Sequence, residues 1–143
     1  MFVESAQDAR AFFIQTWRKQ SDNDPQIAMN PLEALVAGIL NQHPEYHDLL
    51  NEGEACLERT FDGADGEINP FLHLGLHVAL AEQLQVDRPP GVREVYAALS
   101  QKIGTHEAEH SMMQCLAETL MSAQQSGAMP DEAGYIQQLR GLV

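Results

Sequence analysis

Asn69-Pro70-Phe71-Leu72-His73-Leu74-Gly75-Leu76-His77-Val78-Ala79-Leu80-Ala81 is the most strongly helix-forming segment of the chain. Asn at the cap position followed by Pro in the first turn marks a helix start, and the apolar run behind it predicts a helix to about Val86. His73 and His77 stand four residues apart, so they share one face, which continues through the apolar positions Leu80, Ala81 and Leu84. Imidazoles on such a stripe need a partner, because polar nitrogen buried without one is costly. The same spacing recurs at His43/His47 and His106/His110, and these three pairs use all six histidines of the chain. Even allowing for choosing the pattern after seeing it, the arrangement has a chance of roughly one in a thousand.

Working outward, the same signals predict six to seven helices and no strand: an all-α, single-domain bundle over residues 1–143. A first helix runs from about Ser5, its cap, to Gln20, with Ala11, Ile14 and Trp17 on its apolar stripe. Asn30-Pro31-Leu32-Glu33 is a capping-box start for a second, central helix to Leu40. A third begins at Pro44, with His43 as its cap, and continues weakly through Cys56 to Arg59. Asp87-Arg88-Pro89-Pro90-Gly91 stops the fourth helix. The fifth covers Val92 to Ile103 and carries Val92, Val95, Tyr96 and Leu99 on one face. Gly104 breaks or kinks it, Thr105 caps a sixth to about Gln125, and Pro130-Asp131-Glu132 opens a short seventh that docks through Tyr135, Ile136 and Leu139. No stretch alternates with period two.

Eight basic against twenty-one acidic residues give a net charge of −13. Such a surface repels nucleic acid and anionic membranes, so the partners it allows are a basic protein or a second copy of the chain. Cys56 and Cys115 fit neither a C-x-x-C motif nor a disulfide framework and read as small buried hydrophobes in a reducing compartment. Residues 1–10 contain Glu4 and Asp8 and no apolar core of a leader, and no apolar run is long enough to span a bilayer, so the expected location is cytoplasmic.

The histidines carry the chemistry. His106 and His110 align with Met113, Ala117, Leu120 and Met121, so this pair is also expected to point into apolar surroundings. Pairs on the third, fourth and sixth helices could then converge in one metal site built from His43, His47, His73, His77, His106 and His110. Imidazole suits zinc or iron, and added carboxylate shifts the preference toward iron or manganese. Glu107 and Glu109 are the candidate catalytic carboxylates, moving protons beside a mononuclear or dinuclear centre. His106-Glu107-Ala108-Glu109-His110 also spells H-E-x-x-H, the zinc-peptidase signature, although no edge strand is available to hold a peptide. The main alternative to a metal site, ahead of the peptidase, is a non-enzymatic acidic interaction module whose histidines form hydrogen-bonded core networks. The loop Phe61 to Glu67 has a faint look of a calcium loop but lacks its closing Glu.

His43-Pro44-Glu45-Tyr46-His47, Asn69 to His77, Asp87 to Gly91, His110 with Met112-Met113, and Tyr135 with Leu139-Arg140 together resemble a bacterial family catalogued only as a domain of unknown function. The resemblance implies a bacterial cytosolic protein and carries no activity. The His-rich helical pattern is also similar in kind to hemerythrin-like proteins and to the three-histidine enzymes of the DinB group, a likeness of ligand spacing alone.

Overall fold

The structure is a computed structural model that describes residues 6–22, 28–58 and 69–143. Its helices are α1 (Ala6–Asp22), α2 (Pro31–Asn41), α3 (His47–Asn51), α4 (Pro70–Val86), α5 (Val92–Ile103), α6 (Thr105–Ser126) and α7 (Glu132–Leu142), with 3-10 turns at Pro44–Tyr46 and Gly53–Glu58. No strand occurs among the described residues, so the all-α expectation holds. None of the described helices is long and apolar enough to cross a membrane. The expected cap at Ser5, the side chain of Cys56, Arg59 and the Phe61–Glu67 loop lie outside what is described.

The chain divides into two compact units, Met1–Val78 and Ala79–Val143. In the first, α1 packs on α2 and α3. Phe13, Ile14, Val36, Leu40, Leu50, Leu74 and Val78 are its buried core. Each fully buried side chain of this size stabilises by about 1.5–3 kcal/mol. Phe13 stacks parallel to Phe71 at 6.4 Å, and the Arg10 guanidinium lies 5.0 Å over the Phe71 ring. α2 starts as its sequence requires. Glu33 N donates to Asn30 Oδ1 at 2.8 Å, and Asn30 N donates back to Glu33 Oε1 at 3.1 Å. At α4, Phe71 N donates to the Asn69 side-chain oxygen at 2.9 Å.

In the second unit α5, α6 and α7 pack against one another. Val92, Val95 and Leu99 of α5, Ala108, Met112, Met113 and Leu116 of α6, and Tyr135 and Leu139 of α7 are buried there. The Tyr135 hydroxyl donates to Gln83 Oε1 at 2.7 Å. Burial, helped by Cys115, pushes this phenol up to about 12 against the opposing effect of the Gln83 bond. Burial likewise raises the Cys115 thiol, which keeps it protonated and inert. Where α4 stops, Arg93 Nε donates to Leu84 O at 2.6 Å and its guanidinium also reaches Gln85 O, so two helix-end carbonyls that α4 leaves open are satisfied by a side chain.

Three local expectations change. The third helix is not continuous: α3 stops at Asn51, and Gly53, with φ +65° in the left-handed region, opens a 3-10 turn in its place. Thr105 is not a cap but the first residue of α6. Gly104 (φ 92°) ends α5 and opens α6 without any side-chain cap bond. The buried side of α6 runs through Ala108, Met112, Met113, Cys115 and Leu116, while His106, Leu120 and Met121 are exposed and His110 half-buried, so of the face expected to point inward only Met113 is buried. Its histidines misled because apolar residues occur on more than one side of that helix.

Lys19 Nζ meets the Glu33 carboxylate at 2.5 Å. This bond first, then the Asn30 backbone N–H, holds the Glu33 pKa below the ordinary carboxylate range. A depressed folded-state value contributes stability that is complete above the unfolded value of about 4.3 and is lost as pH falls through the folded one. Glu33→Gln should therefore destabilise the protein by a constant amount from neutrality down to about pH 5, with the difference from wild type shrinking below about pH 4. Urea midpoints of both proteins across that range check it.

Candidate metal centre

α2 ends beside three imidazoles. Its last-turn carbonyls accept from the Gln42 backbone N–H at the C-cap, and the chain that follows supplies further donors. His43 N donates to Leu40 O at 3.1 Å, and the His43 ring places Nδ1 2.7 Å from Ile39 O. A carbonyl only accepts, so Nδ1 carries the proton and a neutral His43 ring presents a lone pair at Nε2. His43 thus makes no side-chain cap bond to the turn at Pro44, contrary to the cap role its position suggested.

That nitrogen faces α4. His43 Nε2 lies 3.1 Å from His77 Nε2, which lies 3.1 Å from His73 Nε2. One ligand nitrogen from each ring falls within 4.8 Å of the others. The rings stand steeply to one another, at 64° (His43–His77), 74° (His73–His77) and 75° (His43–His73). Three planes so inclined, with their Nε2 tips together, have the form of one triangular face of a coordination shell. Metal–imidazole bonds of about 2.0–2.1 Å put cis nitrogens about 2.9 Å apart in an octahedron and about 3.4 Å apart in a tetrahedron. The two 3.1 Å contacts of His77 Nε2 fall between them.

An imidazole nitrogen has a single in-plane position, holding either a hydrogen or a lone pair. His77 Nε2 has a neighbour at 3.1 Å on both sides, so a single ring hydrogen can align with at most one of these two contacts. The three nitrogens could hold one cation at their common point. The C-terminal end of α2 adds the negative pole of its dipole on the same side. His43 and His77 are buried, and His73 is half-buried, so solvent reaches the centre past His73.

Tyr46, which sequence reasoning passed over although it sits within the His43–His47 segment, stacks on His43 at 5.7 Å and lies edge-on to His73 at 6.1 Å. Burial, with the Glu45 carboxylate adding to it, holds its phenol above the usual range, so it packs the centre as a neutral group.

The other candidates sit elsewhere. Pro44–Tyr46 is a 3-10 turn and α3 begins only at His47, so the spacing of four between His43 and His47 is not one turn of an α-helix. The His47 ring bonds Leu40 O through Nε2 at 2.9 Å and tilts on Trp17 at 4.4 Å. His106 and His110 belong to the second unit, on the first turns of α6, with their rings 4.3 Å apart. Glu107 is exposed and Glu109 half-buried on the same turns. Among the described residues no Asp, Glu or Cys joins the three-histidine group.

Over residues 5–141 the sequence matches the family described as Domain of unknown function (DUF1841). The chain belongs to that family. No curated protein and no solved structure matches it significantly, so the reading of this DUF1841 chain rests on its own residues.

The ring hydrogens follow from these bonds. In the metal-free protein, long-range proton–nitrogen spectra should show His43 as the Nδ1–H tautomer and His47 as the Nε2–H tautomer. A His43 ring protonated only at Nε2 would contradict the geometry.

Proposed function

We propose that this protein binds one transition-metal ion through His43, His73 and His77. The observation that carries the reading is His77 Nε2 held 3.1 Å from two other imidazole nitrogens, one of them fixed as a lone-pair donor by the Ile39 carbonyl. An all-nitrogen donor set suits zinc best among the metals its residues suggest, then iron. Manganese, which prefers carboxylate oxygen, fits least. Three ligands meeting at one point serve a single ion, so the reading is mononuclear.

Three protein ligands on a zinc ion leave a position for water or substrate, where the metal acts as a Lewis acid and raises the acidity of a bound water. The chain's own residues would hold the ion and orient it. Ile39 O fixes the His43 ring, as the outer partners of ligating histidines commonly do, and Tyr46 packs its face. The zinc-peptidase reading of His106-Glu107-Ala108-Glu109-His110 has no third ligand gathered around it among the described residues. The interaction-module reading, in which the imidazoles are a proton network, is the other outcome of the test below.

Untagged protein stripped with a chelator should take up one equivalent of zinc. Its melting temperature should rise by roughly 5–10 °C at saturating metal. His43→Ala and His77→Ala should abolish tight uptake, whereas His47→Gln should keep it. Cobalt added to the wild-type chain should give visible bands of a four- or five-coordinate nitrogen-rich site, a readout independent of whether the alanine variants fold. No tight equivalent in the wild-type chain, or one that survives both alanine variants, would end the reading.

A further inference from the structure

We propose that a cavity in the second unit, lined by the α4–α5 connection, α6 and the start of α7, binds a free α-amino acid with an apolar side chain. The cavity has a volume of about 290 Å³. That is the lower end of the range for small-molecule sites, so it suits a ligand smaller than a drug-sized one. Its walls are sorted by polarity. Pro89, Leu116 and Tyr135 line it and are buried, which makes an apolar floor. Arg88 and Glu132 also line it and are exposed, so both charges stand at its mouth. Although opposite in sign and lining one cavity, they form no ion pair with each other. Among the described residues neither side chain has a hydrogen-bond partner.

A ligand that fits this layout carries a carboxylate and an ammonium at one end and an apolar group at the other, as an α-amino acid does. The Arg88 guanidinium is a two-pronged donor for the carboxylate. Gln83, which also lines the cavity, adds a second donor. Its oxygen accepts from the Tyr135 hydroxyl at 2.7 Å, which leaves the Nε2 hydrogens to offer. Glu132 accepts from the ammonium, and the ligand's side chain lies against Leu116, Leu120 and Tyr135. The backbone that carries the charges is held before a ligand arrives, which lowers the cost of binding. The Arg88 backbone N–H donates to Gln83 O at 3.1 Å, Val92 N to Pro89 O at 3.1 Å, and Arg93 N to Asp87 Oδ1 at 3.0 Å. At α7, Gly134 N donates to Asp131 Oδ1 at 3.0 Å, which caps the helix that begins with Glu132.

The test is a titration of the full chain with leucine and phenylalanine, read by calorimetry and by the side-chain amide resonances of Gln83. Both should bind with a dissociation constant below about 1 mM. Leucinamide, N-acetylleucine and glycine lack in turn the carboxylate, the ammonium and the apolar group, and each should bind roughly tenfold more weakly or worse. An amino acid with its two charges at opposite ends, such as ε-aminocaproate, should be as poor. Arg88→Gln and Glu132→Gln change exposed side chains, so both should fold with an unchanged melting temperature while weakening leucine roughly tenfold. In Glu132→Gln the further loss from blocking the amine should largely vanish, and in Arg88→Gln the loss from amidating the carboxylate, because the group each met is gone. The proposal is overturned if neither amino acid binds below about 10 mM, or if both variants hold leucine as the wild type does. It is also overturned if leucinamide or N-acetylleucine binds as tightly as leucine, since the cavity would then take the end of a peptide.

Discussion

A ring nitrogen has room for one in-plane partner, and the first unit is built so that three such nitrogens meet. The end of α2 supplies one side of this arrangement. Its last-turn carbonyls accept from the His43 backbone, the His43 ring and the His47 ring, which fixes the path of the chain as it leaves the helix. The start of α4 supplies the other, because the Asn69 cap sets the rotation that presents His73 and His77 on consecutive turns. Neither half makes a site alone. The pair on α4 brings two imidazoles together, and His43 reaches them because α2 ends where it does.

Much of this was legible in the residues. Asn-Pro starts announced α2 and α4, and the stripe on α5 came out as written, with Val92, Val95 and Leu99 buried. His73 and His77 were readable because both stand in one regular helix, where spacing translates directly into direction. His43 was harder. Pro44 made it look like a helix cap, and its true partner, Ile39 O, is a tertiary consequence of where α2 stops. Its companion His47 shares the spacing without sharing a helix turn, since a 3-10 turn lies between them. For α6 the pattern was ambiguous from the start: apolar side chains at Met113, Ala117, Leu120 and Met121 compete with the stripe through Ala108, Met112 and Leu116. Packing buries the second together with Met113 and leaves Leu120 and Met121 exposed. Tyr46 had no signal beyond lying between two histidines.

The two histidine pairs that lie within helices therefore have different fates. On α4 the pair turns into the core and gains a third imidazole from another segment. On α6 it stays at the surface with a carbonyl as neighbour. The sequence spacing is the same in both cases, so burial and the arrival of a third imidazole, rather than periodicity, separate the two pairs.

Trp17 is the only tryptophan in the chain, and its indole N–H donates to Asn51 Oδ1 at 2.8 Å while its ring leans on His47. These two contacts grip both ends of the short α3 segment that follows His43. The protein thus carries a built-in optical gauge: the colour and brightness of that indole follow whether the strap leading out of α2 stays seated, with no dye or label attached.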